Sequence, residues 1–175
     1  MEITCQTDYS QKALAAMSLA ARKTIRRRSN RIWSIYAWVL SAVLLMSILV
    51  LHDSPLYTAL EGALLVLLVT LQFKQDAFNA FFARRRLVPE TRASRTLFYP
   101  DHYVVIFPAA ETKWQYSRIR IPVETRDYFV LLLGKYHAHA VPKAALKGAS
   151  PEEYRAFLAE KTGKAVRKIG RWKQP

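Results

Sequence analysis

Two long apolar runs occupy the centre of the chain. Residues 32–51 form an uncharged run of 20 residues, and residues 56–73 form a second run whose one charge is Glu61. At about 1.5 Å per helical residue, both runs are close to the length that crosses the roughly 30 Å hydrocarbon core of a bilayer. Trp33 and Trp38 lie near the start of the first run, and amphipathic rings favour the headgroup level. The pattern predicts two transmembrane helices.

The link between the runs is very short, and Ser54-Pro55 within it is typical of a helix start. So short a link predicts an antiparallel hairpin. Lys and Arg flank the hairpin on both sides and do not occur in the link, which places both termini, and not Asp53, in the cytoplasm. The candidate topology anchors are three arginines on each side of the hairpin: Arg26, Arg27 and Arg28, then Arg84, Arg85 and Arg86.

The segments beside the hairpin contain a strand pattern and two helix patterns. Residues 2–7 read as a strand, which we expect to pair with β structure elsewhere, because an isolated strand leaves its backbone groups unpaired. A helix capped by Thr7 or Asp8 should follow and continue towards the first span. Residues 75–87 predict a helix that leaves the bilayer, and Pro89 should end it.

From residue 96 the pattern changes to short β-type runs separated by turn signals. The predicted fold class is α+β, with a strongly bent antiparallel sheet or open barrel closed by a C-terminal helix. Ser150 to Glu153 combine an N-cap, an N1 proline and a capping-box glutamate at the start of that helix, and Gly163 should end it. The predicted strands are residues 96–99, 102–107, 113–123, 128–133 and 136–141.

Three motifs carry a resemblance to a known family. They are residues 98–101 (FYPD) before a strand, Trp114 with Ile119 five residues later, and residues 141–146 (VPKAAL) before the final helix. With them the chain resembles the YcxB-like family of bacterial membrane proteins, although His102 stands where that family often has glycine. The resemblance implies a two-helix hairpin in the bacterial cytoplasmic (inner) membrane, a pleckstrin-homology-like (PH-like) β domain and no enzymatic activity.

The patterns together divide the chain into five segments. These are an N-terminal strand and basic helix (1–31), the hairpin (32–73), a juxtamembrane helix and linker (74–92), the YcxB-like β domain with its closing helix (93–163), and a basic tail (164–175).

Charge adds a candidate surface at the C-terminal end. The net charge is +14 although 51% of residues are hydrophobic, and the cations lie outside the apolar centre. Membrane topology explains this separation, so no nucleic-acid partner is expected. A helical tail would gather its apolar residues on one side and could rest on anionic lipids of the inner leaflet; a solvated basic tail is the alternative. The candidate membrane-surface contacts are Lys164, Arg167, Lys168, Arg171 and Trp172.

Few residues suggest chemistry. Glu61 is a candidate intramembrane polar site, but it lies near the outer interface, where it could reach water or pair with His52. His137 and His139 form an H-x-H pair that could join His102 around a metal, yet strand histidines facing solvent are the simpler interpretation. The single cysteine excludes an intramolecular disulfide. We therefore expect neither a metal nor a cofactor, and no enzyme.

The function that follows is a membrane-anchored binding or regulatory module. Its β domain would bind a protein, a peptide or a lipid headgroup, with anionic membrane lipids and an unknown protein as partners. One alternative is a dedicated membrane partner such as an immunity protein. Another is an oligomeric transporter or enzyme that uses Glu61 and the histidines.

Overall fold

The computed structural model describes residues 3–50 and 54–170, and in these ranges it contains four α-helices and two β-sheets. This confirms the mixed α+β class, but the two sheets are not closed into a barrel. The helices are α1 (Gln11–Lys23), α2 (Arg27–Val50), α3 (Pro55–Arg86) and α4 (Pro151–Thr162). The strands are β1 (Ile3–Asp8), β2 (Ala93–Phe98), β3 (His102–Phe107), β4 (Ala110–Gln115), β5 (Ile121–Glu124), β6 (Tyr128–Leu132), β7 (Ala138–Pro142), β8 (Leu146–Lys147) and β9 (Arg167–Lys168).

The first sheet has the strand order β4-β3-β2-β1-β8. Strand β1 pairs antiparallel with β2 along its whole length, from Ile3 opposite Phe98 to Asp8 opposite Ala93. It also pairs with β8. The side chains of β1 alternate between buried and accessible, as expected for a strand with one face on a core. The predicted pairing of the N-terminal strand with the β domain is confirmed.

The second sheet has the order β7-β6-β5-β9, which the sequence did not predict. The run 113–123, expected to be one strand, is broken by a 3₁₀ turn at Tyr116–Arg118. Tyr116 is buried, and its hydroxyl donates a hydrogen bond of 2.7 Å to the carbonyl of Tyr99. The turn separates β4 from β5, which belong to different sheets. The prediction of a single bent sheet was wrong.

The start of the tail is extended rather than helical. Gly163 ends α4 with φ +63°, and β9 then pairs parallel with β5, placing Arg167 opposite Val123. The N–H of Ile169 donates to the carbonyl of Glu124 at 2.8 Å, which continues the attachment. The prediction of a helical tail is therefore wrong for residues 164–170. Arg171 and Trp172 lie outside the described residues, as do Met1, His52, Asp53 and Pro175.

Local caps explain two helix starts. At α4 the Ser150 N–H donates to the Glu153 carboxylate (2.7 Å) and the Glu153 N–H donates to the Ser150 hydroxyl (3.2 Å), which confirms the capping box. At α1 the cap is Ser10, whose hydroxyl accepts from the N–H of Ala13. Thr7 and Asp8 were the wrong caps, because both still belong to β1.

Helices α2 and α3 are long and apolar enough to cross a membrane. In the apolar 18-residue stretch of α2 only 6% is buried inside the protein, and in that of α3 the buried share is 0%. The Gln72 amide donates to the carbonyl of Ser34, and Ser47 donates to Glu61 nearer the link, so the helices run antiparallel. Helix α3 is a single helix of 32 residues, about 48 Å long. The helix predicted for residues 75–87 is therefore the continuation of α3 beyond the second apolar run, and it ends at Arg86.

Helix α1 lies between the hairpin and the second sheet. One face contacts the end of α3, where Leu14 and Ala80 share a buried cluster. The other face packs on β5 and β6, where Ala20 is buried against Val123 and Leu132. The small side chain of Ala20 allows close approach of helix and sheet. Through α1, the apolar hairpin is joined to the β structure.

An ion cluster ties the second sheet to α4. The carboxylate of Glu124 is fully buried and accepts hydrogen bonds from Lys143 (2.7 Å) and from Arg155 (2.6 and 2.8 Å). Burial alone would raise the pKa of Glu124, but the hydrogen bonds from Arg155 and Lys143 outweigh it and lower the pKa. The ionised carboxylate therefore stabilises the fold above its ordinary pKa, and this contribution is lost as the pH falls below that range.

We predict that Glu124→Gln lowers the free energy of unfolding at pH 7 by about 3 kcal/mol, because two cations lose their shared buried carboxylate. Glu111→Gln is the matched control, since Glu111 is exposed on β4, and it should change stability by less than about 0.5 kcal/mol. Thermal unfolding of both variants in detergent measures the effect. Equal midpoints would contradict the structural role of Glu124.

Candidate functional site

A groove of about 700 Å³ lies where α1, the end of α3 and the β6–β7 turn meet. Apolar side chains of α1 and α3 contribute to its walls, among them Leu14, Met17 and Phe82. The turn contributes Lys135 and Tyr136. Three separate parts of the chain therefore build one concave surface next to the hairpin.

Arg26, in the short turn that connects α1 to α2, contacts the β6–β7 turn. Its guanidinium donates two hydrogen bonds to the carbonyl of Lys135, at 3.2 and 2.9 Å. The same guanidinium lies 5.1 Å from the centre of the Tyr136 ring, and the ammonium of Lys135 lies 5.4 Å from it. Tyr136 is nevertheless 75% exposed. Two cations, one from the turn and one from the α1–α2 connection, thus lie beside an accessible aromatic ring.

The groove is cationic. Arg26, Arg86 and Lys135 line it, together with His137, and the described part of its lining contains no Asp or Glu. Within residues 3–50 and 54–170, none of these three cations forms an ion pair. Such a surface attracts an anion.

The carboxylate of Asp76, on α3, is already bound. It accepts hydrogen bonds from the Arg22 guanidinium and from the hydroxyl of Ser18 (3.0 Å), both on α1. Asn79 also donates to Ser18, at 3.3 Å. These contacts fix α1 against α3 and leave the groove cations without this carboxylate as a partner.

His139 on β7 lies beside Trp114 and Tyr103 of the first sheet, and all three side chains place polar atoms in the interior. The His139 ring lies 5.7 Å from Trp114 and 6.0 Å from Tyr103. Both ring nitrogens of His139, the indole N–H of Trp114 and the hydroxyl of Tyr103 are buried without a hydrogen-bond partner among the described residues. Burial, with a smaller contribution from His137, lowers the pKa of His139 to about 4. The interpretation of His139 as a solvent-facing histidine was wrong, because its side chain turns inward.

The other predicted candidates do not converge on one site. His102 stacks on Tyr99 and forms a hydrogen bond with the carboxylate of Asp101. Within the described part of the chain, no group of three metal-ligating side chains forms. The Glu61 carboxylate accepts a 2.7 Å hydrogen bond from Ser47 inside the hairpin. Lys164 donates to the carbonyl of Ile119 at 2.7 Å, whereas Arg167 and Lys168 are exposed on β9.

The six topology anchors occupy different parts of the hairpin. Arg27 and Arg28 begin α2, directly after Arg26. Arg84, Arg85 and Arg86 form the last residues of α3. Of the six, Arg26 and Arg86 line the groove.

The segment that includes the β6–β7 turn, the Glu124 cluster and most of α4 can be compared with known families. Residues 98–158 match the family model described as YcxB-like protein. The expected resemblance is confirmed for this YcxB-like segment, which does not include β1, α1 or the hairpin. Neither a curated protein nor a solved structure matches the chain. The groove is thus shared between the YcxB-like segment and the helices that precede it.

Sequence reasoning missed the groove. Arg26 was interpreted only as a topology anchor, and Tyr136 was assigned to a strand. The glycine and lysine before Tyr136 were correctly taken as a turn signal, but the contact between positions 26 and 135 joins distant parts of the chain. No local pattern carries that information.

We predict that acid weakens the fold through His139. Its pKa is lower in the folded chain than the ordinary value of 6.5, so stability is full above pH 6.5 and falls as the pH drops towards 4. Between pH 7 and pH 5 the loss is about 2 kcal/mol, or roughly 4–8 °C in Tm. His139→Gln should remove most of this pH dependence, and His137→Gln, at an exposed position, should not. Identical pH profiles of the two variants would contradict the prediction.

Proposed function

We propose that this chain is a two-pass protein of the bacterial cytoplasmic membrane that holds a non-enzymatic binding or regulatory domain at the inner surface. Helices α2 and α3 cross the bilayer, and both termini face the cytoplasm. The domain consists of the two sheets and α4, and it corresponds to the PH-like domain that the family resemblance implies. It binds a protein, a peptide or a lipid headgroup.

The position of α1 is the observation that carries the proposal. Strand β1 lies inside the first sheet, and α1 then packs between the second sheet and α3. The Arg22–Asp76 ion pair fixes this contact. A flexible tether would let the domain turn freely, whereas this joint gives it one orientation relative to the hairpin. Such a fixed orientation suits a domain whose binding surface must face the membrane or a membrane partner.

The exposed surface of the hairpin supports membrane insertion. Large apolar side chains such as Trp33 and Phe73 are mostly exposed along α2 and α3. An apolar surface of this length needs lipid or another protein to cover it. The Lys and Arg residues that precede and follow the hairpin in the sequence then favour a cytoplasmic position for the domain.

Glu61 fits a structural role within the hairpin better than a transport role. Its hydrogen bond to Ser47 joins α2 to α3, and a polar contact of this kind stabilises helix pairs in a membrane.

The tail has a position that is compatible with membrane contact. Ile169 packs in the same apolar cluster as Ile25, which directly precedes Arg26 and the start of α2. The exposed cations Arg167 and Lys168 therefore lie on a strand that leads towards the membrane end of α1. Electrostatic attraction to anionic lipids would add to the anchoring.

We predict the topology from single-cysteine labelling in spheroplasts. Cys5 is 1% exposed, and burial raises the pKa of its thiol to about 11, so the wild-type chain should not react with a membrane-impermeant maleimide. Ser54→Cys, at the start of α3, should react in intact spheroplasts. Glu111→Cys, exposed on β4, should react only after lysis.

Each outcome bears on a different part of the proposal. Labelling of Glu111→Cys in intact spheroplasts, with Ser54→Cys protected, would reverse the orientation. Recovery of the chain in the soluble fraction after carbonate washing of membranes would refute the membrane anchor itself.

A further inference from the structure

We infer that the groove between α1, α3 and the β6–β7 turn is a binding site for the headgroup of an anionic phospholipid from the surrounding inner leaflet. Arg26 and Lys135 would contact the phosphate, and Tyr136 would lie at the level of the headgroups. The inference rests on the proposed function, because it requires that the hairpin spans the membrane. It assigns a ligand and named residues to one surface of the domain.

Charge complementarity supports an anionic occupant. Arg26, Arg86 and Lys135 line the groove without any carboxylate, and Asp76 is neutralised by Arg22. The groove therefore keeps a positive charge that no carboxylate within residues 3–50 and 54–170 balances by an ion pair. Arg26 uses Nε and Nη2 for the carbonyl of Lys135, which leaves its Nη1 group and the Lys135 ammonium as donors to phosphate oxygens.

The distance from the predicted hydrocarbon edge supports a lipid rather than a soluble anion. Arg27, the first residue of α2, precedes Ile32 by about 8 Å along the helix axis. On α3, Asn79 lines the groove about 9 Å beyond Phe73. The headgroup layer on each side of a bilayer is about 5–8 Å thick. Long cationic side chains at the near end of the groove can therefore reach the phosphates.

Tyr136 gives a second indication of the bilayer surface. Its ring is 75% exposed although two cations lie beside it. Tyrosine is enriched at membrane interfaces, where its ring contacts the acyl boundary and its hydroxyl contacts water.

The test uses the full chain, purified in detergent and mixed with equal amounts of phosphatidylglycerol and phosphatidylcholine. Native mass spectrometry then counts the lipids that remain bound. Wild-type protein should retain phosphatidylglycerol in preference to phosphatidylcholine. Lys135→Gln, which keeps the backbone carbonyl that Arg26 contacts, should weaken this binding about fivefold, and the double variant Arg26→Gln/Lys135→Gln about twentyfold.

Two further variants control for charge and folding. Lys113→Gln/Arg118→Gln removes two exposed cations on β4 and in the turn after it, where they line a separate pocket that does not include any residue of the groove, and it should bind phosphatidylglycerol like the wild type. Arg26→Lys keeps the charge and should retain most of the binding. If the double variant unfolds, the single change at Lys135 decides the result.

Three outcomes would overturn the inference. They are equal retention of the two lipids, equal loss in the control and groove variants, and displacement of the lipid by the same concentration of soluble glycerol phosphate. Equal retention is also the result expected if the groove binds an acidic protein instead. A chain that leaves the membrane on carbonate washing contradicts the proposed function, whereas a membrane-embedded chain without lipid preference contradicts only this inference.

Discussion

The packing of α1 against two partners is the constraint on which the arrangement of this protein depends. Its Ala20 face lies on the second sheet, and its Leu14 face lies on α3, where Arg22 binds Asp76. Because α1 follows directly from β1, the first sheet is attached to the same helix. Domain and hairpin are therefore joined through a buried interface instead of a linker.

Two sets of polar contacts lie at different distances from the hairpin. The Glu124 cluster lies inside the domain, where it connects the second sheet with α4 and is independent of the hairpin. The Arg26–Lys135 contact lies at the joint, where it connects the β6–β7 turn with the start of α2. The first stabilises a fold, and the second places an accessible turn beside a helix that we propose enters the bilayer. A loss of the first should destabilise the domain, whereas a loss of the second should change its stability less.

Local signals in the sequence predicted many of the elements, but few of the contacts between them. The capping residues at Ser150 and Glu153, the helical form of the two apolar runs and the pairing of the N-terminal strand follow from periodicity and backbone hydrogen bonding, and they were predicted correctly. The split of residues 113–123 was missed, because a β-type run does not reveal that the Tyr116 side chain turns inward. The inward His139 and the groove at Arg26 and Lys135 were missed for a similar reason, since both depend on residues far apart in the chain.

The most direct test of this account is a distance measurement between hairpin and domain in lipid nanodiscs. Spin labels at Leu67, exposed on α3, and at Glu111, exposed on β4, report their relative position by pulsed electron paramagnetic resonance. The joint predicts one narrow distance distribution, which broadens when Arg22→Gln and Asp76→Asn remove the ion pair. A broad distribution in the otherwise unchanged chain would contradict a fixed orientation of the domain.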